Sequence, residues 1–249
     1  MFNFFAEYNN KYNDGYVIDG KDYNHIKNVL RMKEGDRLLV SYEGKSNLCE
    51  ISSFVDDTVV LNIVTEDFNS TELSVDISLF QGLPKSDKFE LIIQKTVELG
   101  VKEIYPVEMK NCVVKLDDKK KVSKVSRWQS ISEAAAKQSK RNIIPNINNV
   151  ISLKSIIEIT KDYDMLLVPY ENEDSMKSTA NVLKDIKAGM KVGIVIGPEG
   201  GFDQKEIDYL VGGGAVTISL GKRILRTETA AITAVGMIMM CAELGNEEL

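Results

Sequence analysis

Two arginines and a glutamate lie close together near the end of the chain. In the segment LGKRILRTETAA, residues 220–231, Arg223 and Arg226 stand between apolar residues. Thr227 can cap the helix that follows, and Glu228 complements the positive N-terminal end of that helix. A structural turn does not need guanidinium groups, whereas a reaction that develops negative charge does. The two arginines are therefore candidates for function.

A glycine-rich turn precedes this segment. GPEGGF, residues 197–202, follows an apolar strand and leads into a helix that Asp203 can cap, with Glu206 three residues on. The glycines of this turn, and Gly221 in the segment LGKRILRTETAA, leave backbone uncovered where a ligand could lie. The turn has neither the GK[ST] of a P-loop nor G-x-G-x-x-G. Two such turns would make one small-molecule pocket; the alternative is a tight strand–helix connection.

A basic block lies in the middle of an acidic chain. The 249 residues carry a net charge of −6, yet residues 84–145 hold 14 basic and 8 acidic side chains. Contacts to phosphates are local, so this block could form a nucleic-acid surface. The alternative is a solvated helix face.

Other kinds of site find little support in the sequence. His25 is the only histidine, and a partly exposed helix residue is the favoured interpretation over a catalytic one. Three scattered cysteines give neither a disulfide framework nor a zinc site, and no metal is expected. The N-terminus does not resemble a signal peptide, and the apolar stretch 230–242 is too short to span a bilayer. We expect a cytoplasmic protein whose last helix is buried in the core or against a second subunit.

Hydrophobic patterning predicts two domains, with the boundary at the polar, turn-forming segment DFNSTEL, residues 67–73. Residues 1–70 show short strands, including a hairpin joined through EGKS, and one helix over 22–32 with Ile26, Val29 and Leu30 on one face. From residue 74 onward strands alternate with helices, which indicates a parallel sheet covered on both faces.

Several segments resemble the RsmE family, bacterial methyltransferases of the SPOUT class that modify N3 of a uridine in 16S ribosomal RNA. They occur in the family's order and cover nearly the whole chain. The matching segments are HIKNVLRMKEGD (25–36), KFELIIQKTVELGVKEIYP (88–106), SEAAAKQSKRNIIP (132–145), GPEGGF (197–202) and LGKRILRTETA (220–230).

The resemblance implies a fold, a cofactor and an assembly. It implies a PUA-like RNA-binding β-barrel over residues 1–70 and an α/β SPOUT domain over 74–249, with a parallel sheet, a C-terminal trefoil knot and a homodimer. It also implies S-adenosylmethionine bound in the knot, with 16S RNA, within the small ribosomal subunit, as the partner. The implied cofactor residues are Leu167, Val168, Pro169, Gly197, Pro198, Glu199, Gly200, Gly201, Leu220, Gly221, Ile224, Leu225 and Ala230.

The resemblance and the chemistry of the side chains also suggest roles in catalysis and RNA binding. Arg226 is the first candidate to stabilise the uracil anion, and Glu228 a weaker candidate to accept the N3 proton. The expected RNA contacts are Arg31, Lys85, Lys88, Lys95, Gln138, Lys140, Arg141 and Arg223. The chain departs from the family at FNFF near its start and at Asn111, where an arginine is common.

Two other functions compete with this interpretation. A SPOUT enzyme could act on another RNA, such as tRNA, or the chain could be a non-catalytic RNA-binding factor. GPEGG and ILRTETA argue against lost cofactor binding. A nucleotide hydrolase is disfavoured because no phosphate-lysine or metal-carboxylate motif is present.

Overall fold

The computed structural model describes residues 1–85, 87–170 and 176–246 and forms two compact units. Unit 1 contains residues 1–72 and 136–144, and unit 2 contains 73–135 and the chain from 145 onward. The division differs from the one expected from the sequence, because residues 136–144 group with the N-terminal unit.

Unit 1 is built on a six-stranded sheet. In chain order its elements are β1 (Asn3–Phe5), β2 (Lys11–Tyr12), β3 (Gly15–Ile18), α1 (Gly20–Asn24), β4 (Arg37–Tyr42), β5 (Lys45–Val55) and β6 (Thr58–Thr65). The strand order is β1-β4-β5-β6-β3-β2, antiparallel except where β1 joins β4. The predicted hairpin is confirmed as β4–β5, with Tyr42 paired to Lys45. Its turn residues Glu43 and Gly44 both have positive φ, at 49° and 78°, as a two-residue hairpin loop requires.

The helix predicted over residues 22–32 is wrong in its geometry. α1 ends at Asn24, and residues 25–29 form a π-helical turn in which the N–H of Leu30 donates to the carbonyl of His25 at 2.9 Å. This wider turn changes which side chains share a face. Ile26 is fully buried as expected, but Val29 is 63% exposed.

Arg141 is part of the interior of unit 1. Only 3% of the residue is exposed, and its guanidinium pairs with Glu72. Glu72 also accepts the backbone N–H of Asn142 at 2.7 Å, and the Arg141 carbonyl accepts the side-chain amide of Asn3 at 2.9 Å. These bonds attach residues 136–144 to the N-terminal sheet. The structure therefore does not support the RNA contact predicted for Arg141, because its guanidinium is buried and already paired.

Replacing Arg141 by methionine should destabilise unit 1 by about 3 kcal/mol, because it leaves Glu72 partly buried without its counter-ion. Faster amide hydrogen exchange in β1 and β4 would measure the loss. The matched control is Arg37→Met, which breaks an exposed pair with Glu50 and should cost less than about 1 kcal/mol. Equal rates of amide hydrogen exchange in β1 and β4 of Arg141→Met and Arg37→Met would contradict the role given to Arg141.

Unit 2 alternates strands and helices as predicted. Its elements are β7 (Asp76–Gly82), α2 (Lys88–Glu98), β8 (Glu103–Glu108), α3 (Asp118–Ser139, whose last four residues belong to unit 1), β9 (Asn146–Ile147), β10 (Ile151–Ser152), α4 (Ser155–Ile159), β11 (Met165–Pro169), α5 (Met176–Lys184), β12 (Lys191–Ile196), α6 (Gln204–Gly212), β13 (Val216–Ile218) and α7 (Thr227–Asn246). The sequence pattern predicts a helix over residues 175–187, and its first residue lies outside the described residues.

The predicted parallel sheet of unit 2 is confirmed. Its order is β10-β8-β7-β12-β11-β13, with β9 also on β8, and every pair is parallel. The central strands β7 and β12 are buried along almost their whole length, as expected for a sheet covered on both faces. The trefoil knot stays a prediction.

The last helix, α7, is longer than the apolar stretch at residues 230–242. Residues Thr227–Gly245 of α7 are long and apolar enough to cross a membrane by length and composition, so the expected exclusion on length is wrong. Core helices meet the same criterion, and one side of α7 is buried in unit 2, where it packs on α2. Met240 and Leu244 on α7 remain 49% and 48% exposed.

Candidate cofactor site

The carboxyl ends of three neighbouring strands surround a cavity in unit 2. β12, β11 and β13 are adjacent, and the loops that follow them begin at Gly197, Tyr170 and Ser219. The cavity has a volume of about 460 Å³, in the range of small-molecule sites. Open parallel sheets place their ligands at these strand ends. The two glycine segments, residues 197–202 and 220–231, therefore share one pocket.

The cavity brings together all but two of the residues that the resemblance assigns to the cofactor. Those in its lining are Pro169, Gly197, Pro198, Glu199, Gly200, Gly201, Leu220, Gly221, Ile224, Leu225 and Ala230. Leu167 and Val168 are fully buried inside β11 and do not line it. Tyr170, Ile196, Phe202 and Thr227 line it without having been predicted as cofactor residues. Phe202 ends the GPEGGF segment, so that motif carried a usable signal for it.

Asn111 holds the glycine loop from outside the cavity. Its side-chain amide donates to the carbonyls of Gly200 at 3.1 Å and Gly201 at 3.2 Å. A Cβ at Gly200 would lie only 2.9 Å from the Cβ of Asn111, so glycine is needed for this close approach. The residue that replaces the family's common arginine thus has a structural role beside the cavity.

A chain of hydrogen bonds joins β7, the glycine loop and α7. Gln81, fully buried at the end of β7, donates through Nε2 to the Thr227 hydroxyl at 2.9 Å. That hydroxyl donates to the carbonyl of Gly197 at 2.7 Å. Thr227 is itself the first residue of α7, so the predicted cap is wrong and its side chain fixes the two loops together. The predicted cap at Asp203 is confirmed, with Glu206 completing the capping box.

Replacing Thr227 by valine should weaken cofactor binding about tenfold. Valine keeps the shape but removes the donor to the Gly197 carbonyl and the acceptor of one Gln81 N–H, while the Gln81 amide keeps its bond to the Gly82 carbonyl. Each buried group that loses its partner costs about 1–3 kcal/mol. Calorimetric titration with S-adenosylmethionine measures the change. Thr227→Ser keeps the hydroxyl and should bind within about threefold of the unmodified protein; a loss as large as that of valine would refute this role.

Two free cations stand at the cavity. Arg223 and Arg226 both line it and are exposed, and among the described residues neither guanidinium has a hydrogen-bond or ion-pair partner. Ile224 between them is 87% exposed, which is unusual for so large an apolar side chain. A ligand with an apolar surface and a negative charge at its edge could pack on Ile224 and pair with Arg223 and Arg226.

Lys88, predicted as an RNA contact, lies instead in a cluster with two carboxylates. Its Nζ is 3.4 Å from Glu199 Oε1 and 3.3 Å from Glu228 Oε2. Burial lowers the pKa of Lys88, but the contacts and charges of Glu228 and Glu199 outweigh it and raise the pKa overall. Burial raises the pKa of Glu199, but the backbone N–H groups of Lys85 and Glu199 itself, together with Lys88, outweigh it and lower the pKa overall. Both groups are therefore charged near neutral pH.

Four of the remaining predicted RNA contacts are exposed, and Lys95 is half-buried. In unit 2, Lys85 is exposed and Lys95 pairs with Glu98 at 2.8 Å. In unit 1, Arg31, Gln138 and Lys140 are exposed. Glu228 is not among the residues that line the cavity; its side chain, 14% exposed, faces Lys88. Across the described residues, no group of His, Cys, Asp or Glu could hold a metal ion.

The fold and the cavity define a class: a chain with a β-rich unit and an α/β enzyme unit that binds a nucleoside-type cofactor at the carboxyl ends of a parallel sheet. A family model for an RNA methyltransferase domain matches residues 71–239, and one for an RNA methyltransferase PUA domain matches 18–63. The chain belongs to the ribosomal RNA small subunit methyltransferase E family of RNA methyltransferases. The resemblance found in the sequence is confirmed.

Relatives in this family resemble the chain over nearly its full length. Ribosomal RNA small subunit methyltransferase E from Bacillus subtilis (strain 168) is 37% identical, covering 92% of this chain and 91% of that protein. The protein of the same name from Mesomycoplasma hyopneumoniae (strain 232) is 36% identical, covering 93% and 96%. A crystal structure of the protein of that name from Neisseria gonorrhoeae, bound to S-adenosyl methionine, matches this chain with a TM-score of 0.80 and 28% sequence identity. The match covers 96% of this chain and 97% of that chain.

Proposed function

We propose that this protein methylates 16S ribosomal RNA at N3 of a uridine, with S-adenosylmethionine as the methyl donor. The observation that carries the proposal is the cavity at the ends of β11, β12 and β13, which two glycine loops and two free arginines line. Family membership supports the RNA substrate, and the relatives named for small-subunit rRNA support its identity.

The cavity fits the methyl donor. The backbone of Gly201 and Gly221 leaves room for a ligand, since an added Cβ would meet nothing within 4 Å at Gly201 and only an Arg223 nitrogen at 3.7 Å at Gly221. The exposed Ile224 offers an apolar surface to a purine. The neighbouring solved structure in this family holds S-adenosyl methionine. Bound there, the donor supplies a methyl group on a positively charged sulfur.

The protein's part in the reaction is positioning and charge stabilisation. Methyl transfer is an in-line displacement, so the two reactants must be held in line at close range. Uracil N3 carries a proton and becomes a good nucleophile when the proton leaves. We assign Arg226 to stabilise the resulting negative charge at a carbonyl oxygen, because its guanidinium faces the cavity and is free of partners within the described residues. Glu228, two residues on, is assigned as proton acceptor.

The RNA contacts are proposed from exposed basic side chains. Arg223 reaches the cavity and would meet the phosphates near the target uridine. Lys85 and Lys95 of unit 2 are also assigned to RNA, although Lys95 would have to leave its pair with Glu98. In unit 1, Arg31 and Lys140 both have left-handed backbone, with φ of 54° and 60°, an uncommon conformation for these residues. Together with Gln138 they are assigned to RNA that the N-terminal unit binds.

The exposed side of α7 supports a homodimer. Met240 and Leu244 present an apolar surface at the end of an apolar helix. A second copy of this chain would cover it, and we place the dimer in the cytoplasm, on RNA of the small ribosomal subunit. Sedimentation should give the mass of two chains, whereas a monomer at micromolar concentration would contradict the assembly.

A methyl-transfer assay with purified components tests the function. The protein, S-adenosylmethionine labelled in its methyl group, and one of three RNAs are mixed: small ribosomal subunits, free 16S RNA or tRNA. We expect label in 16S RNA, which nuclease digestion and mass spectrometry should locate on N3 of uridine. Label found only in tRNA would show that tRNA, and not 16S RNA, is the substrate. Failure to bind S-adenosylmethionine would indicate a non-catalytic RNA-binding factor.

A further inference from the structure

We propose that Lys88 is a positioning residue of the methyl-transfer site: its ammonium group ties Glu199 of the glycine loop to Glu228 of α7 and so orients Glu228 for the reaction. The inference rests on the proposed function, since it requires Glu228 to take part.

The three residues come from three separate elements. Lys88 is the first residue of α2, Glu199 lies in the loop after β12, and Glu228 is the second residue of α7. One ammonium group lies within 3.4 Å of both carboxylates. It therefore connects the two glycine-marked segments that form the cavity.

Glu228 depends on this contact. Its Oε2 is buried and, among the described residues, accepts no well-aligned hydrogen bond; the Lys88 ammonium at 3.3 Å is its ion-pair partner. Without the cation, the buried oxygen would face Glu199 with no compensating charge. Two neighbouring carboxylates repel each other, so one of them would take up a proton or turn away. A protonated or displaced Glu228 cannot accept the uracil proton.

Helix stability does not explain why a lysine occupies this position. The N-terminal end of a helix carries partial positive charge, so a cation in its first turn is electrostatically unfavourable. Glu199 and Glu228 compensate for that placement. Lys88 also lines the cavity, whereas Glu228 does not, so the lysine lies between the cavity and the carboxylate that it pairs with.

The test compares Lys88→Met and Lys88→Gln with Lys88→Arg, and uses Lys161→Met as a matched control. Lys161 pairs with Glu158 on the surface of the same unit, so its removal deletes one lysine without touching the cavity. We expect kcat at pH 7 to fall at least about tenfold in the methionine and glutamine variants, in keeping with the weight of general base catalysis. The affinity for S-adenosylmethionine and the KM for RNA should stay within about threefold. Arginine should restore most of kcat, and Lys161→Met should not change it.

Two further readouts separate positioning from a merely structural effect. Raising the pH should partly restore Lys88→Met, because a carboxylate that gained a proton loses it again. Adding Lys88→Met to Glu228→Gln should cost no more than Glu228→Gln alone, since the two residues act as one unit.

Three outcomes would overturn the role of Lys88. These are an unchanged kcat in Lys88→Met, an additive loss in the double variant, or a higher KM for RNA with normal kcat, which would restore the RNA contact expected from the sequence. Full activity of Glu228→Gln would refute the proton acceptor. No methylation of RNA by the unmodified protein would refute the proposed function itself.

Discussion

Replacing Arg226 by alanine should reduce the rate of methyl transfer by about 10²–10³-fold, while S-adenosylmethionine still binds with nearly unchanged affinity. The guanidinium is exposed at the cavity and has no partner among the described residues, so its removal breaks no contact that supports the fold. What is lost is a positive charge where the uracil anion forms. Single-turnover methylation and calorimetric titration of the donor measure the two effects separately.

Arg223 provides the matched control for this prediction. It lies three residues earlier, lines the same cavity and is equally exposed. Arg223→Ala should raise the KM for RNA and leave kcat within about threefold, because a phosphate contact adds to binding without acting on the reacting base. Arg226→Lys keeps the positive charge but lacks the planar guanidinium group with its several N–H donors. Its rate should therefore lie between those of Arg226→Ala and the unmodified protein. Undiminished methylation by Arg226→Ala would refute the catalytic assignment.

Replacing Gly82 by alanine should weaken S-adenosylmethionine binding by about 100-fold or more, although Gly82 does not line the cavity. An added Cβ would lie 2.8 Å from both the backbone nitrogen and Cδ of Pro198, and 2.9 Å from Sδ of Met109. The backbone of Pro198 cannot yield without moving the glycine loop that forms one wall of the cavity. A displacement of this kind, of about 1 Å, is enough to cost two orders of magnitude.

Gly212→Ala serves as the control for Gly82→Ala. Gly212 is the last residue of α6, and an added Cβ there meets nothing within 4 Å. We expect unchanged donor binding and a small gain in stability, up to about 1 kcal/mol, since alanine favours the helix. Donor affinity of Gly82→Ala equal to that of Gly212→Ala would show that the loop does not depend on the packing against β7.

The residues that line the cavity were largely predictable from the sequence. Each glycine segment follows an apolar strand, and the carboxyl ends of parallel strands meet at one edge of a sheet. The pattern therefore placed Gly197 and Gly221 together without any contact information. Leu167 and Val168 were assigned by the family resemblance and not by this pattern; both are buried inside β11 and do not line the cavity.

The contacts that fix the loops were not predictable. Gln81 and Thr227 are 146 positions apart in the sequence, and Asn111 and Gly200 are 89 positions apart. Lys88 and Arg141 look like RNA contacts in a basic block. Their carboxylate partners, Glu228 and Glu72, come from distant parts of the chain. Charge patterning identifies a cation but not the partner that folding brings to it.

In the fold too, features set by neighbouring residues were predictable, and features set by contacts between distant residues were not. Alternating hydrophobic patterns predicted the parallel sheet and the β4–β5 hairpin, since both follow from local periodicity and turn residues. Grouping of residues 136–144 with unit 1 follows from the buried pair of Arg141 and Glu72, which no local pattern shows. The outward turn of Val29 depends on a single π-helical turn.

Mapping the methylated nucleotides of 16S RNA from cells with and without the gene for this protein tests the central claim most directly. We predict that one uridine carries a methyl group on N3 in the first strain and none in the second. Re-expression of the unmodified protein should restore it, and Arg226→Ala should not. An identical 16S methylation pattern in the two strains would contradict the proposed function.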